Sequence, residues 1–245
     1  APMPLDICVG HSQGGIAYLL VQALENALRE ADSSRHAACL LTQVEVDEDD
    51  PAFDDPSKFI GAFYTEEEAR RIEAEMGWQM KEDSGRGWRH VVPSPKPQHV
   101  CDISLVQVLA RRGTIVIAGG GGGIPVVRGP KGVRRGVQAV IDKDLTSAHM
   151  ANVLGIELLM ILTAVPRVAV DFGKPGQREL DQVTMRELRA LHAEGHFPPG
   201  SMGPKIEAAL RFLEGGGERV IIAHLDEAMT ALHGEAGTHV LADDA

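Results

Sequence analysis

Two lysines, Lys205 and Lys143, stand where phosphate chemistry would want them. Lys205 closes the hexapeptide Gly200-Ser201-Met202-Gly203-Pro204-Lys205, and Ile206, Ala209, Leu210 and Leu213 recur behind it at helical spacing. The hexapeptide reads as a glycine-bearing loop opening a helix, with Pro204 at the first helical position, where a missing N–H costs nothing. Free N–H groups at a helix start, the dipole behind them and an ammonium beside them make an anion site, and phosphate is the natural guest. A helix entry with a surface lysine is the competing reading. Lys143 lies between Asp142 and Asp144 and looks buried; one of the two acids is expected to cap the helix that continues through Leu145 and Met150. A lysine flanked by two carboxylates at a helix start suits the bridging of transferring phosphoryl oxygens, with an aspartate holding it in place; a surface ion pair of little worth is the alternative. Lys58 is the only cation in the acidic stretch 47–61, DEDDPAFDDPSKFIG, and a solvated surface lysine is its competing fate.

A second glycine loop, Gly119 to Gly123, follows the apolar segment Thr114 to Ala118. Glycines there let backbone N–H groups approach a ligand closely, and the carboxyl end of a strand is where open α/β sheets bind ligands. No Gly-Lys-Ser/Thr follows, and no G-x-G-x-x-G with a ribose-binding acid exists, so neither common nucleotide fingerprint applies. A plain flexible turn is the alternative.

The elements that must position these groups alternate. Ser12 is expected to cap a helix whose apolar face, Ile16, Leu19, Leu20, Ala23, Leu24, Ala27 and Leu28, packs into the core. Ala37 to Val46 reads as one buried strand, and residues 47–97 as an irregular excursion forming a small lid. Within that excursion Thr65 and Glu68 form a capping box for a helix to about Met76. A helix over Ile103 to Arg112 stops at Gly113, the fully apolar strand Thr114 to Ala118 follows and is expected to lie in a parallel sheet covered on both faces, and 126–137 reads as a hairpin. Further on come a strand at Ile156 to Val165, a loop at Pro166 to Pro175 suited to lie over a nucleotide base, and a helix at Thr184 to His192. Arg219 to Ala223 reads as a strand, 226–232 as a helix and Gly237 to Leu241 as a closing strand. Strands alternating with helices predict a mostly parallel sheet sandwiched by helices.

The 245 residues, 44% hydrophobic, suffice for one large α/β domain or two small ones. A net charge of −11 without a basic patch argues against nucleic-acid binding. Cys8, Cys39 and Cys101 are odd in number, lack metal spacing and sit among apolar neighbours, so buried free thiols in a reducing compartment are expected. His192 and His196 lie four apart, but the glycine between them argues against a metal pair, and no metal ligands are assigned. No apolar run approaches a membrane span and no signal peptide is recognised, so a cytoplasmic location is expected.

The residues resemble carbamate kinase, of the amino-acid kinase superfamily. The matching stretches are Ser12-Gln13-Gly14; Leu41-Thr42-Gln43 with Asp47 and Asp50 to Phe53; Asp55 to Lys58 with Ile60-Gly61; Gly87 to Arg89 through Val92 to Pro95; Gly120 to Pro125; Ala139 to Leu145; Asp171 to Pro175; Gly195 to Phe197; Gly200 to Lys205; and Gly237-Thr238. They run through nearly the whole chain in the family's order. The resemblance implies a three-layer α/β/α sandwich, with 47–97 as a protruding subdomain of a single domain over 1–245. It also implies a cytoplasmic homodimer and reversible phosphoryl transfer between ATP and carbamate, with Mg2+ on the phosphates, as in arginine metabolism. Lys143 and Lys205 would neutralise the phosphoryl group and Asp144 would orient them, while Lys58 would reach in from the subdomain. Gly120, Gly121 and Gly122 would lie close to the substrate with Gly203 and Ser201. Thr163, Val165, Met202 and Lys174 would serve the nucleotide.

The chain departs from the family at two places. It opens where the family's N-terminal glycine loops should already be complete, so it reads as lacking that unit. Thr163-Ala164-Val165-Pro166 stands where the family has Thr-Asp-Val-Asp. A kinase-derived binding or regulatory protein without catalysis is therefore the second expectation.

Overall fold

The computed structural model describes residues 3–83, 85–198 and 200–243. The chain divides into two compact units, Ala1–Thr146 and Ser147–Ala245.

The first unit opens with α1 (Leu5–Glu30), followed by β1 (Ala37–Cys39) and β2 (Gln43–Val46). Helix α1 starts ahead of the expected place, with Pro4 as its N-cap residue. Ser12 is therefore no cap: it sits inside the helix, and its hydroxyl donates to the Val9 carbonyl at 2.9 Å. The apolar face of α1 is likewise not core. Val9, Gln13 and Ala17, one narrow i, i+4, i+8 stripe, are buried, while Ile16, Tyr18, Leu19 and Leu20 are exposed. Helical period shows which side chains share a face, but not how much of that face finds a neighbour. The expected single strand over Ala37 to Val46 is two strands, because Thr42 turns its backbone and side chain to other partners between them.

The stretch 58–92 of the same unit carries β3 (Lys58–Tyr64), α2 (Glu66–Met76), β4 (Met80–Glu82) and β5 (Trp88–Val92). The three strands form an antiparallel sheet in the order β3-β5-β4. Helix α2 begins with the Thr65–Glu68 capping box and packs on that sheet through the fully buried Ala69. Trp78 stacks on His90 with ring centroids 4.3 Å apart, and burial pushes the His90 pKa down.

Next come β6 (Pro97–Val100), α3 (Ile103–Arg111), β7 (Ile115–Ile117), β8 (Ile124–Arg128), β9 (Arg134–Gly136) and α4 (Lys143–Leu154), whose first turn closes the unit. β1 pairs with β7 and β2 with β8, both parallel, while β8 and β9 form the expected hairpin. β7 is only half-buried along its length, so the strand expected to be covered on both faces is not: among the described residues its sheet has just two strands, β1 and β7. The register runs Cys39↔Ile117 and then resumes at Gln43↔Ile124. Residues 40–42 on one line therefore face 118–123 on the other, and the longer line extrudes its surplus as the glycine loop. Within the sheet the buried Glu45 carboxylate receives the Arg128 guanidinium through both oxygens, and that hydrogen-bonded pairing, outweighing burial, holds its pKa below the usual carboxylate range. Cys101 is buried, Cys39 half-buried and Cys8 exposed, so the expectation of buried thiols fails at Cys8.

The second unit contains β10 (Leu158–Thr163), β11 (Ala169–Val170), β12 (Arg178–Glu179), β13 (Gln182–Thr184), α5 (Met185–Ala193), α6 (Met202–Glu214), β14 (Arg219–His224), α7 (Ala228–Leu232) and β15 (Thr238–Leu241). Its sheet runs β10-β14-β15-β13, with β10 parallel to β14, β13 parallel to β15, and β14 antiparallel to β15. Ile221 and Ala223 of β14 cluster with Ala231 of α7 and with Leu158 and Met160. Val220 and Ile222 point to the opposite side by strand alternation and are fully buried too. Helices α6 and α7 both contact β14, and its unbroken apolar run is what a strand covered on both faces requires.

Candidate active site

The site of the first unit is built on the glycine loop. Gly119, Gly121, Gly122 and Gly123 have φ of +67°, +66°, +94° and +95°, conformations that side chains resist. A Cβ on Gly122 would lie 2.1 Å from the Ile141 carbonyl oxygen, so the loop presses directly on the segment that carries Asp142. Side chains clamp it from three elements. Gln13 of α1 donates to the Gly120 carbonyl at 2.8 Å and accepts from the Thr42 N–H at 2.9 Å. The Thr42 hydroxyl takes the Gly119 N–H at 2.8 Å, and the Thr146 hydroxyl of α4 donates to the Gly122 carbonyl at 2.8 Å. The N–H groups of Gly122 and Gly123 close onto Gly119 and Gly120. Among the described residues no backbone hydrogen bond takes up the N–H of Gly120 or Gly121. A loop fixed in this way has its shape set before a ligand arrives.

Asp142 is the cap of α4: its Oδ1 accepts from the N–H of Asp144 at 2.9 Å and of Leu145 at 3.3 Å. Its Oδ2 accepts from Lys58 Nζ at 2.6 Å. Burial works against this carboxylate, yet the bond and charge of Lys58 and the two N–H groups prevail and hold its pKa below the ordinary range. Lys143 is exposed, against the expectation of a buried lysine; its side chain retains 61% of its surface, and Nζ stands 3.6 Å from Asp144 Oδ2. The two acids are buried instead, and a four-carbon stem lets the ammonium reach outward past them. The structure thus gathers Lys58, Lys143, Asp144 and Gly120 to Gly122 of the predicted set in this unit, and adds Asp142, Gln13, Thr42 and Thr146. The sequence marked Asp142 as one of two candidate caps beside Lys143. The hold of Asp142 on Lys58, 84 residues away, had no local signal.

The second unit places Lys205 in the first turn of α6, one turn into a helix that begins at Met202 after Ser201. Pro204 is therefore the third helical residue, not the first, and the change costs nothing because the first four N–H groups of a helix have no partner within it. Ser201 stands at the N-cap without a side-chain bond to the helix. A Cβ on Gly203 would lie 2.9 Å from the Pro198 carbonyl, whose oxygen already takes the Gly203 N–H at 2.8 Å. Glycine is what lets the entry loop fold back against the first turn. Thr163 ends β10 opposite His224 of β14, and Val165 lies in the bend beyond. Lys174 sits in the turn 171–174, where its Nζ is 3.6 Å from Asp171; His196 Nδ1 approaches the same carboxylate at 3.4 Å. Asp171 itself has φ +51°, the left-handed region that aspartate tolerates better than most residues.

A clamped glycine loop and buried acids paired with lysines define a phosphate-handling α/β protein. The amino acid kinase family model matches residues 6–224, and the chain belongs to that family. It is 49% identical to the carbamate kinase of Pyrococcus furiosus over 238 residues, which is 97% of this chain and 76% of the relative. The crystal structure of the Giardia lamblia carbamate kinase bound to citric acid superposes with a TM-score of 0.92 at 41% identity, covering 99% of this chain and 77% of that one. The same Giardia enzyme bound to AMP-PNP superposes at 0.87 and 42% identity, with the same coverage. The chain therefore has the carbamate kinase fold and spans about three quarters of the length of these relatives.

Proposed function

We infer that this chain is a carbamate kinase, an ATP-dependent phosphotransferase that interconverts ATP and carbamate with ADP and carbamoyl phosphate. The observation that carries the reading is the match to carbamate kinases along 97% of the chain at nearly half identity. In our reading Lys143 and Lys205 neutralise the transferring phosphoryl group, Asp144 orients Lys143, and Lys58 approaches from the small subdomain. Gly120 to Gly122 face the substrate, with Ser201 and Gly203 at the phosphate end of α6. Thr163, Val165, Met202 and Lys174 are proposed to serve the nucleotide. A carbamate oxygen attacks the γ-phosphorus as the bond to the ADP oxygen breaks, so the protein has charge to balance and geometry to hold rather than a covalent step to perform. The anchored lysine and clamped loop of the first unit support this, because they need little rearrangement at the moment of reaction.

Magnesium would supply further neutralisation of the phosphates. Asp142 and Asp144 already face Lys58 and Lys143, so the donor set fits an ion carried in by the nucleotide better than one held by the protein. We further propose a cytoplasmic homodimer working in arginine metabolism. The exposed Ile16, Tyr18, Leu19 and Leu20 of α1 support a partner on that face, and no helix among the described residues is long and apolar enough to cross a membrane. A coupled assay of ATP formation from ADP and carbamoyl phosphate tests the reading. ATP formation strictly dependent on both substrates is expected; none above the uncatalysed rate would overturn it.

A further inference from the structure

We propose that Asp142 is the positioning residue for Lys58 in phosphoryl transfer, an inference that rests on the kinase reading above and deepens it. The two oxygens of this carboxylate have separate tasks. Oδ1 is committed to the mouth of α4 through the N–H groups of Asp144 and Leu145, and Oδ2 holds the Lys58 ammonium at 2.6 Å. Lys58 stands at the start of β3, where it pairs with Val92 of β5. Pro93, the next residue, accepts the N–H of Val140 at 2.9 Å. β5 thus ties the strand bearing the lysine to the segment bearing the acid.

That segment has little freedom. Ile141 is 1% exposed and its carbonyl abuts Gly122, while the Asp142 carbonyl accepts the Thr146 N–H at 3.1 Å. Lysine is the more mobile partner, with a flexible four-carbon stem and a side chain one-third exposed. A rigid, buried acid holding a mobile, half-open lysine beside a glycine loop restricts where the ammonium can wait. An incoming phosphate then finds Lys58 at the loop and takes it over from Asp142, rather than recruiting it from solvent. Asp142 touches no substrate in this scheme; it acts through the lysine.

Asparagine and aspartate cap helices about equally well, so Asp142→Asn removes the charge while keeping the cap. The experiment compares the full chain with D142N, K58A and the double variant. D142N is expected to lower kcat about tenfold with KM for ADP within about twofold, and to add less than about twofold on top of K58A, because coupled residues are non-additive. At neutral pH the Tm of D142N should fall by a few degrees, for loss of the Lys58 pair, while the cap survives and the chain stays folded. In parallel, the ligand-free proteins are treated with an amine-acylating reagent and Lys58 labelling is read by peptide mass spectrometry. Several-fold faster labelling in D142N is expected, and this arm needs no activity. Should D142N not fold, Asp142→Ser, an equally good cap without charge, takes its place. Equal kcat losses in the presence and absence of Lys58, or unchanged Lys58 labelling, would overturn the proposal. An inactive parent chain would instead sink the kinase reading, with the labelling still deciding whether Asp142 anchors Lys58.

Discussion

Replacing Gly122 by alanine tests whether the loop and the segment bearing Asp142 are one packed unit. The added Cβ would sit 2.1 Å from the Ile141 oxygen and 2.7 Å from its carbonyl carbon, with φ at +94°. Two costs combine. The left-handed conformation opposes a side chain by roughly 1–2 kcal/mol. Overpacking against backbone that cannot rotate away adds about 1–3 kcal/mol, for a total of about 2–5 kcal/mol. Gly113, which ends α3, provides the control in the same unit: its φ is +85°, and nothing lies within 4 Å of a Cβ built there. Alanine at 113 should therefore cost only the roughly 1–2 kcal/mol of backbone strain.

At about 2–4 °C of Tm per kcal/mol for a chain this long, G122A should melt below G113A by roughly 2–12 °C. Calorimetry measures this directly. The clash also has a direction. It pushes the Ile141 carbonyl away from the loop, and Asp142 follows, carrying the Lys58 anchor and the α4 cap with it. G122A should therefore lose kcat as well, whereas G113A should not. Equal Tm losses, or full activity in a folded G122A, would refute the claim that the loop braces the acid.

Three further outcomes are expected. Gln13→Leu removes a buried amide that bonds both the Gly120 carbonyl and the Thr42 N–H; leaving those backbone groups unpaired should cost about 2–4 kcal/mol in urea unfolding. The folded Asp142 pKa lies below its ordinary 3.8, so its contribution to stability is present above that value and is lost as pH falls through the lower folded value. The parent Tm should accordingly fall more steeply below pH 3.8 than that of D142N. Magnesium ATP at 100 times its Kd should stabilise the chain by about 2.7 kcal/mol, and Lys205→Ala should abolish that shift in a thermal scan.

The parts of the site legible in the sequence are those with short-range causes. Thr65 and Glu68 sit at the fixed spacing of a capping box, and the structure contains both of its bonds. The five residues from Gly119 have one physical excuse, backbone that must go where side chains cannot, and four of them have positive φ. Arg219 to Ala223 was legible as a strand from its apolar run, and the structure buries that run on both faces. A cap at Asp142 or Asp144 was legible for the same reason, and the structure gives it to Asp142, whose partners are two and three residues away.

What stayed hidden depends on distant partners. The exposed edge of α1, with Ile16, Leu19 and Leu20, is more apolar than the buried one, so helical period could not say that Val9, Gln13 and Ala17 would be the covered residues. Nor does Thr42 look like a strand breaker; β-branched residues favour strands. It interrupts the line because the facing line carries six residues, 118–123, where its own carries three, and both must resume in register at Gln43↔Ile124. Once the surplus is extruded, its polar groups need partners, and the side chains of Thr42, Gln13 and Thr146 supply them. The glycine loop is therefore shaped by a length mismatch between two parallel ladders as much as by its own composition. Inserting one residue at 41 would shorten that mismatch, and the loop should lose its grip on Ile141 even with every glycine in place.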